Sequence, residues 1–163
     1  MTDGSEASIL IEEVDDAIVV IRLNRPLRLN ALTREMVAEL NEALDAMAGR
    51  REIRAVILTG SGRGFCAGQD VAAADARNRV APSGLVERYY WQEQFAGMAK
   101  RIHAMPQIVI AAVNGPCAGA GMALALAADI RLASRSARFL NAAVRLGLTA
   151  GESGMSYFLP RLI

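Results

Sequence analysis

Two glycine-rich segments hold the residues with the clearest potential for chemistry. They read GRGFCAGQD at residues 62–70 and NGPCAGAGMALAL at residues 114–126. Each follows a short apolar run, and each is built mainly from residues whose side chains leave the backbone accessible. Peptide N–H groups from two such loops can converge on one oxygen atom, and a helix starting near Ala120 would add its positive end. The pattern is typical of a site that stabilises an enolate or other oxyanion made from an acyl group.

Phosphate binding is the other chemistry that glycine-rich loops suggest. The first loop has glycines at positions 60, 62 and 64. This spacing fits neither the G-x-G-x-x-G nor the G-x-x-x-x-G-K-[ST] pattern. Taken alone, each loop is equally compatible with a tight turn packed beneath a sheet. The presence of two loops, each at the end of an apolar strand, favours the oxyanion interpretation.

The cysteines and the histidine are weaker candidates for chemistry than the two loops. Cys66 and Cys117 show no C-x-x-C spacing, and His103 is the only histidine in the sequence. A disulfide scaffold and a zinc or other metal site are therefore disfavoured, and both cysteines are expected to be reduced thiols. Cys66 lacks a nearby histidine base and is a poor candidate for a nucleophile. His103 is expected to be a partly exposed packing residue.

Strands and helices that alternate along the chain must position these loops. Two β-branched runs separated by Asp15 and Asp16 predict a hairpin. Apolar residues at helical spacing predict a helix over 33–48, capped by Thr33 and followed by Gly49 at the C′ position. Further strands are predicted at 54–59, 108–113, 130–133 and 138–140, helices at 85–105 and 121–128, and a polar loop at 71–84. The order indicates a spiral or layered α/β arrangement of rough ββα units.

Composition limits the partners. The 163 residues carry 18 basic and 17 acidic side chains, for a net charge of +1. This balance gives no extended field for gathering nucleic acid or an acidic membrane. The first residues, MTDGSEAS, have no basic segment before an apolar stretch, so a signal peptide is not expected, and no apolar run is long enough to span a bilayer. These features predict one cytoplasmic domain that holds any anionic ligand locally.

Three segments together resemble the crotonase superfamily, the enoyl-CoA hydratase and isomerase family. They are LNRPLRLNAL, GRGFCAGQD and VNGPCAGAGMALALAADIRLAS, which continues to PRL. The resemblance runs from about Ile9 to Ile163 and implies a crotonase-like spiral of ββα units. Family members are usually longer, with C-terminal helices that complete the site and assemble trimers. Residues 1–163 are accordingly expected to be an incomplete core domain, and a longer chain is expected to form a homotrimer or hexamer.

The resemblance also implies roles for individual residues. The oxyanion hole is expected at the backbone amides of Gln69 and Ala120. The substrate is expected to be a coenzyme A thioester, with no permanently bound cofactor. Residues implied to bind coenzyme A are Arg25, Arg28, Leu29, Ala67, Gly68 and Asp70. Solvent-exposed charge is an equally good interpretation of Arg25 and Arg28.

Two departures from the family pattern bear on the reaction. Hydratases of the family use two glutamates, and the matching positions here are Ala123 and Ala143. Both groups that would activate and protonate water are absent, which disfavours an efficient two-glutamate hydratase. With Trp91, these two alanines are expected to line the acyl pocket. Tyr89 and Tyr90 could line it too, although a plain core role is at least as good an interpretation.

One carboxylate remains in the implied site. Glu152 resembles an acid that some isomerase and dehalogenase relatives carry in the same turn, although a structural acid at a helix N-terminus is the alternative. A single acid suffices to move a proton, which favours double-bond isomerisation. An enoyl-CoA hydratase with one atypical acid and a non-catalytic acyl-CoA-binding subunit are the alternatives. Asp129, at the end of the buried helix, is expected to be structural.

Overall fold

A five-stranded sheet forms the first layer of the fold. The computed structural model describes residues 7–71, 84–147 and 149–163, without the side chains of residues 145, 146, 150 and 152. The predicted polar loop therefore lies almost wholly outside the described residues. The sheet has the order β1-β2-β3-β4-β6, formed by β1 (Ile9–Asp15), β2 (Ile18–Leu23), β3 (Ala55–Gly60), β4 (Ile108–Val113) and β6 (Ile130–Ala133).

Strand direction in this sheet sets where the loops meet. β1 and β2 form the predicted antiparallel hairpin, and the Asp15 carboxylate accepts a hydrogen bond from the Ala17 N–H at 2.8 Å in its turn. The pairs β2–β3, β3–β4 and β4–β6 are all parallel. The carboxyl ends of these four strands therefore lie along one edge of the sheet, where both glycine-rich loops begin.

A narrower second layer lies beyond that edge. It contains the parallel pair β5 (Pro116–Ala118) and β7 (Arg138–Leu140), with parallel bridges joining Leu32 to Gln69 and Cys66 to Cys117. Each of the parallel sheet strands is thus followed by a short segment in the second layer. This repetition confirms the predicted spiral of ββα units. β5 was not predicted because three residues beginning with proline carry no strand periodicity.

The helices largely follow their predictions. They are α1 (Arg34–Gly49), α2 (Leu85–Ala104), α3 (Ala120–Ala127) and α4 (Met155–Phe158). The Thr33 hydroxyl accepts from the Met36 N–H at 3.3 Å, which confirms the predicted cap. The C′ assignment of Gly49 is wrong: Gly49 is the last residue of α1, and Arg50 follows in an extended conformation. Every residue of α3 is buried, as its apolar composition on all sides requires.

Two asparagines hold the loop that follows β3. The buried Asn30 amide donates to the carbonyls of Ser61, Gly64 and Phe65 at 2.8–3.2 Å. Asn114, at the end of β4, donates to the carbonyls of Gly60, Gly62 and Gly64 at 2.9–3.2 Å. These two side chains provide donors that a loop outside the sheet ladder cannot obtain from a neighbouring strand.

Close backbone contact holds the second glycine-rich loop against the first. A Cβ atom added to Gly121 would lie 2.3 Å from the Cys66 carbonyl oxygen and 2.6 Å from the Cys66 Cβ atom. Only glycine fits at that separation. The start of α3 consequently packs directly on the main chain of residue 66.

The helices of the described residues are too short or too polar to span a bilayer.

Replacing Asn30 is expected to destabilise the fold strongly. In Asn30→Ala, the carbonyls of Ser61 and Phe65 lose their side-chain donor, and that of Gly64 keeps only Asn114. Alanine must also adopt the left-handed conformation that Asn30 has at φ 56°. We expect the free energy of unfolding to fall by about 3 kcal/mol or more in urea titrations. Asn24→Ala is the matched control, because Asn24 donates to one exposed carbonyl, that of Ala7, at 3.0 Å. Equal losses in the two variants would contradict a central role for Asn30.

Candidate active site

The Gln69 amide is oriented by the backbone of Leu32. The Leu32 N–H donates to the Gly68 carbonyl at 2.8 Å, and the Asp70 N–H donates to the Leu32 carbonyl at 2.9 Å. In a trans peptide the C=O and N–H groups point in opposite directions. Since the Gly68 carbonyl faces Leu32, the Gln69 N–H points away from Leu32.

The Ala120 amide is oriented by the first hydrogen bond of α3. The Gly119 carbonyl accepts from the Ala123 N–H at 3.1 Å and so points along the helix. The Ala120 N–H of the same peptide group points the opposite way, out of the helix N-terminus. The partial positive charge of that terminus adds to the donor. The Gly119 N–H donates to the Leu140 carbonyl at 3.0 Å, which fixes the turn in place.

Gly68 allows the first glycine-rich loop to approach the start of α3 closely. It has a φ of +94°, and a Cβ atom there would lie 2.9 Å from the Ala118 oxygen and 3.3 Å from the Ala120 nitrogen. A larger residue would be strained and would press on the Ala120 amide. In the described part of the chain, neither the Gln69 nor the Ala120 N–H has an acceptor. Two backbone donors, on segments that are in contact at Gly68, therefore have no partner in the described residues.

The two predicted alanines lie on elements next to these amides. Ala123 is fully buried in α3, one turn beyond Ala120 on the same side of the helix. Ala143 is half-buried at the start of a 3-10 helix, Ala143–Leu146, which follows β7 closely. Both positions offer only a methyl group.

Glu152 belongs to a second 3-10 helix, Ala150–Ser153, which contacts α3 and α2. The Thr149 hydroxyl accepts from the Gly151 N–H at 3.1 Å and caps this turn. The Glu152 side chain lies outside the described part of the chain. Its assignment to the site stays a prediction.

The residues predicted to bind coenzyme A fall into two groups. Arg28 is exposed at the end of a short 3-10 helix, Pro26–Arg28, and Leu29 follows in the left-handed conformation. Ala67 donates through its N–H to the Leu29 carbonyl at 2.9 Å, so these residues adjoin. Arg25 differs, because its guanidinium pairs with the Asp70 carboxylate at 3.0 Å and also donates to the Ala31 carbonyl.

The aromatic residues of α2 do not form one group. Trp91 is half-buried, packs on Phe95 with ring centroids 5.5 Å apart, and lies under the Arg34 guanidinium at 5.1 Å. Tyr89 and Tyr90 are exposed, so the core role allowed for them is wrong. His103 is exposed and contacts the Phe158 ring edge-on, with the ring centroids 5.1 Å apart, in agreement with a packing role.

The thiols are unsuited to catalysis. Burial raises the pKa of Cys66 to about 12, and burial together with the neighbouring Cys66 raises the pKa of Cys117. The Cys66 thiol donates to the Asn30 carbonyl at 3.2 Å and so takes part in holding the loops. Among the described residues, no group of three histidine, cysteine or carboxylate side chains could hold a metal ion.

Comparison with known proteins identifies the family. The family model described as enoyl-CoA hydratase/isomerase matches residues 13–163. The chain belongs to the enoyl-CoA hydratase/isomerase family. It is 43% identical over 159 residues to the probable enoyl-CoA hydratase EchA12 of Mycobacterium tuberculosis H37Rv, covering 95% of this chain and 55% of that protein.

Two further relatives of this enoyl-CoA hydratase/isomerase chain extend the comparison. It is 42% identical over 160 residues to the 1,2-epoxyphenylacetyl-CoA isomerase of Escherichia coli K12, covering 94% of this chain and 57% of that protein. The crystal structure of an enoyl-CoA hydratase from Bacillus anthracis matches 96% of this chain and 58% of its own, with 32% identity and a TM-score of 0.83. The chain thus spans a little over half the length of these relatives.

The contacts of Asp129 in this chain agree with the structural role predicted for it. Its carboxylate accepts from the Val109 N–H at 2.8 Å, and its own N–H donates to the Val109 carbonyl at 3.0 Å. The sequence did not indicate Leu32, which orients the Gln69 amide through its main chain alone. Asn30 was also missed, although an asparagine after a proline-containing turn is a known signal for the left-handed conformation.

The buried thiols are expected to weaken the fold at high pH. Because the folded pKa of Cys66, about 12, lies above its ordinary value of 9.0, the unfolded chain loses thiol protons first as the pH rises. Below about pH 9 the thiols should not affect the free energy of unfolding. Between about pH 9 and pH 12 the free energy of unfolding should fall by up to about 1.4 kcal/mol per pH unit for each thiol. The measurement is urea unfolding against pH, with a Cys66→Ala, Cys117→Ala variant as control. A control that shows the same slope would contradict the thiol assignment.

Proposed function

We propose that the protein activates coenzyme A thioesters by stabilising an enolate. The observation that supports this proposal is the pair of unpartnered amides, Gln69 N–H and Ala120 N–H, on two segments in contact at Gly68, and we place the substrate oxygen in a space between them. A thioester carbonyl oxygen in that space would accept from both donors. Fixed donors of this kind stabilise negative charge that develops during the reaction and need no reorganisation to do so.

The surroundings increase the effect of the two donors. Ala120 opens a fully buried helix, so its N–H combines with the positive end of the helix dipole away from bulk water. Electrostatic interactions gain strength where water is excluded. The Cα–H next to the thioester thereby becomes more acidic, and a base of moderate strength can remove the proton.

Substrate binding follows from the same segments. The exposed Arg28 supplies a cation for a phosphate, and the backbone of Leu29, Ala67 and Gly68 forms a strip leading to the amides. In this proposal the substrate enters as a coenzyme A thioester, and no cofactor is permanently bound. The acyl chain lies near Ala123, Ala143 and Trp91.

Double-bond isomerisation is the reaction that these residues favour. The two positions at which hydratases of the family carry glutamate, 123 and 143, hold alanine, and a relative 42% identical is named an isomerase of a CoA thioester. Glu152 would remove a proton from the carbon next to the thioester, giving the enolate and a neutral acid. The same acid would return that proton to the γ-carbon as the carbonyl reforms, so nothing is gained or lost overall.

Two other functions remain as alternatives. An enoyl-CoA hydratase using Glu152 alone has support from the relative named as a probable hydratase, 43% identical. A non-catalytic acyl-CoA-binding subunit has support from the alanines at positions 123 and 143. Water addition to a 2-enoyl-CoA would identify the first, and thioester binding without turnover would identify the second.

The proposal extends to assembly and compartment. A homotrimer or hexamer is proposed for a chain of the relatives' length, located in the cytoplasm. Exposed apolar side chains at the sheet edge support a subunit contact; they are Ile130 and Leu132 on β6 and Phe139 and Leu140 on β7.

Replacing Glu152 should abolish isomerisation while leaving thioester binding intact. In Glu152→Gln, we expect kcat for conversion of a 3-enoyl-CoA to the 2-enoyl-CoA to fall at least 100-fold, because the proton carrier is lost. Absorbance at the conjugated product reports the rate, and calorimetry with a saturated acyl-CoA reports binding. Glu42→Gln, on the exposed face of α1, is the matched control. Unchanged turnover in Glu152→Gln would remove Glu152 from the mechanism.

An amide-to-ester substitution tests the oxyanion hole directly. Incorporating lactic acid in place of Ala120 replaces its N–H by an oxygen and keeps the methyl group. We expect kcat to fall by about 100- to 1000-fold with a smaller change in KM. The same substitution at Ala43, in the interior of α1, removes a helical hydrogen bond away from the site and is the control. If both esters lose activity equally, the Ala120 N–H has no special role.

A further inference from the structure

We infer that Arg25 is a positioning residue that holds the Gln69 amide in place, and is not a ligand of the coenzyme A phosphates. This inference rests on the proposed function of that amide. It separates Arg25 from Arg28, which the sequence had grouped together as cations for phosphate. The reason lies in what the Arg25 guanidinium already contacts.

Arg25 projects from a fixed piece of main chain. Its carbonyl accepts from the N–H groups of Arg28 and Asn30, both at 2.9 Å, and its own N–H donates to the Asn30 side-chain oxygen at 2.8 Å. Asn30 is buried and holds the loop after β3. The start of the Arg25 side chain is therefore set by the same asparagine that orders the neighbouring loop.

The Arg25 guanidinium is held within the protein through one of its nitrogens. Its Nη1 atom donates to the Asp70 carboxylate at 3.0 Å and to the Ala31 carbonyl. The side chain of Arg25 is 25% exposed and that of Asp70 is 11% exposed. An ion pair this buried keeps its geometry because parting the two groups would leave a charge without a partner. Arg28, in contrast, is exposed at the end of its short helix.

Asp70 is the residue next to Gln69, which makes the ion pair relevant to the amide. The main chain at Gly68 and Asp70 is bonded to Leu32, and the Asp70 side chain is bonded to Arg25. Glycine at 68, with its φ of +94°, makes rotation of the following peptide group the easiest local motion. Fixing Asp70 on both its main chain and its side chain opposes that rotation. Arg25 thus acts on the proposed oxyanion hole through Asp70.

A positioning role and a phosphate-binding role for Arg25 predict different kinetics on two substrates. We compare an acyl-CoA with the matching acyl-pantetheine, which lacks the phosphates. A positioning role predicts that Arg25→Gln lowers kcat by about 100-fold on both substrates, since a small misplacement of a catalytic group has that effect. A phosphate ligand predicts a raised KM for the acyl-CoA alone. That second result would overturn the inference.

Conservative variants keep the test valid if Arg25→Gln folds poorly. Arg25→Lys, which keeps the charge, should recover part of kcat on both substrates, and Asp70→Asn should reproduce the Arg25→Gln loss. Combining the two losses should give little more than either alone, because they break one link. Arg101→Gln is the matched control, since Arg101 pairs with Asp45 at 2.8 Å between α2 and α1. Additive losses in the double variant would contradict the coupling.

Amide hydrogen exchange separates this inference from the proposed function. Positioning by Arg25 predicts at least tenfold faster exchange of the Asp70 N–H in Arg25→Gln, whether or not the wild-type chain turns over substrate. If the wild-type chain shows no turnover and exchange still quickens, the proposed function fails and the link between Arg25 and the loop stands. If exchange of the Asp70 N–H is unchanged, the inference is wrong.

Discussion

Direct contact between the main chains of the two glycine-rich loops is the constraint on which the site depends. Gly121 packs against the Cys66 backbone, and Gly68 packs against the backbone of residues 118–120. No side chain lies between the loops at these points, so small residues are required on both sides. The parallel strands β3 and β4 bring the loops to the same sheet edge, and the glycines allow the final approach. The separation of the Gln69 and Ala120 amides follows from that approach.

Because the donors are peptide groups, their chemistry does not depend on the side chains of Gln69 and Ala120. The orientation of each donor depends on the hydrogen-bond partner of the carbonyl in the same peptide group. Leu32 bonds the Gly68 carbonyl, and the first turn of α3 bonds the Gly119 carbonyl. The structure therefore separates two tasks. In the proposed function, the main chain would polarise the thioester carbonyl, and side chains elsewhere would determine which proton moves.

Most helices and strands, and the two glycine-rich loops, could be predicted from the sequence because they follow from local patterns. The hairpin, α1 with its Thr33 cap, and the buried α3 have periodicity or composition that local rules interpret correctly. The orientation of the Gln69 amide could not be predicted, because it depends on the main chain of Leu32, 37 positions earlier in the sequence. The Arg25–Asp70 pair was missed for a related reason. Two charged residues 45 positions apart give no sign of being partners until the fold places them together.

The hydrogen bond from the Gly119 N–H to the Leu140 carbonyl has a consequence for how the chain is made. During synthesis the Gln69 and Ala120 amides emerge early, but the turn that orients the second one is completed only by β7. Contacts that join segments this far apart in sequence form slowly, since the loops between them must first be closed. A nascent chain that ends before Leu140 thus contains both amides and lacks the hydrogen bond that fixes the turn at Gly119. The proposed oxyanion hole is therefore complete only once the chain has been made as far as β7.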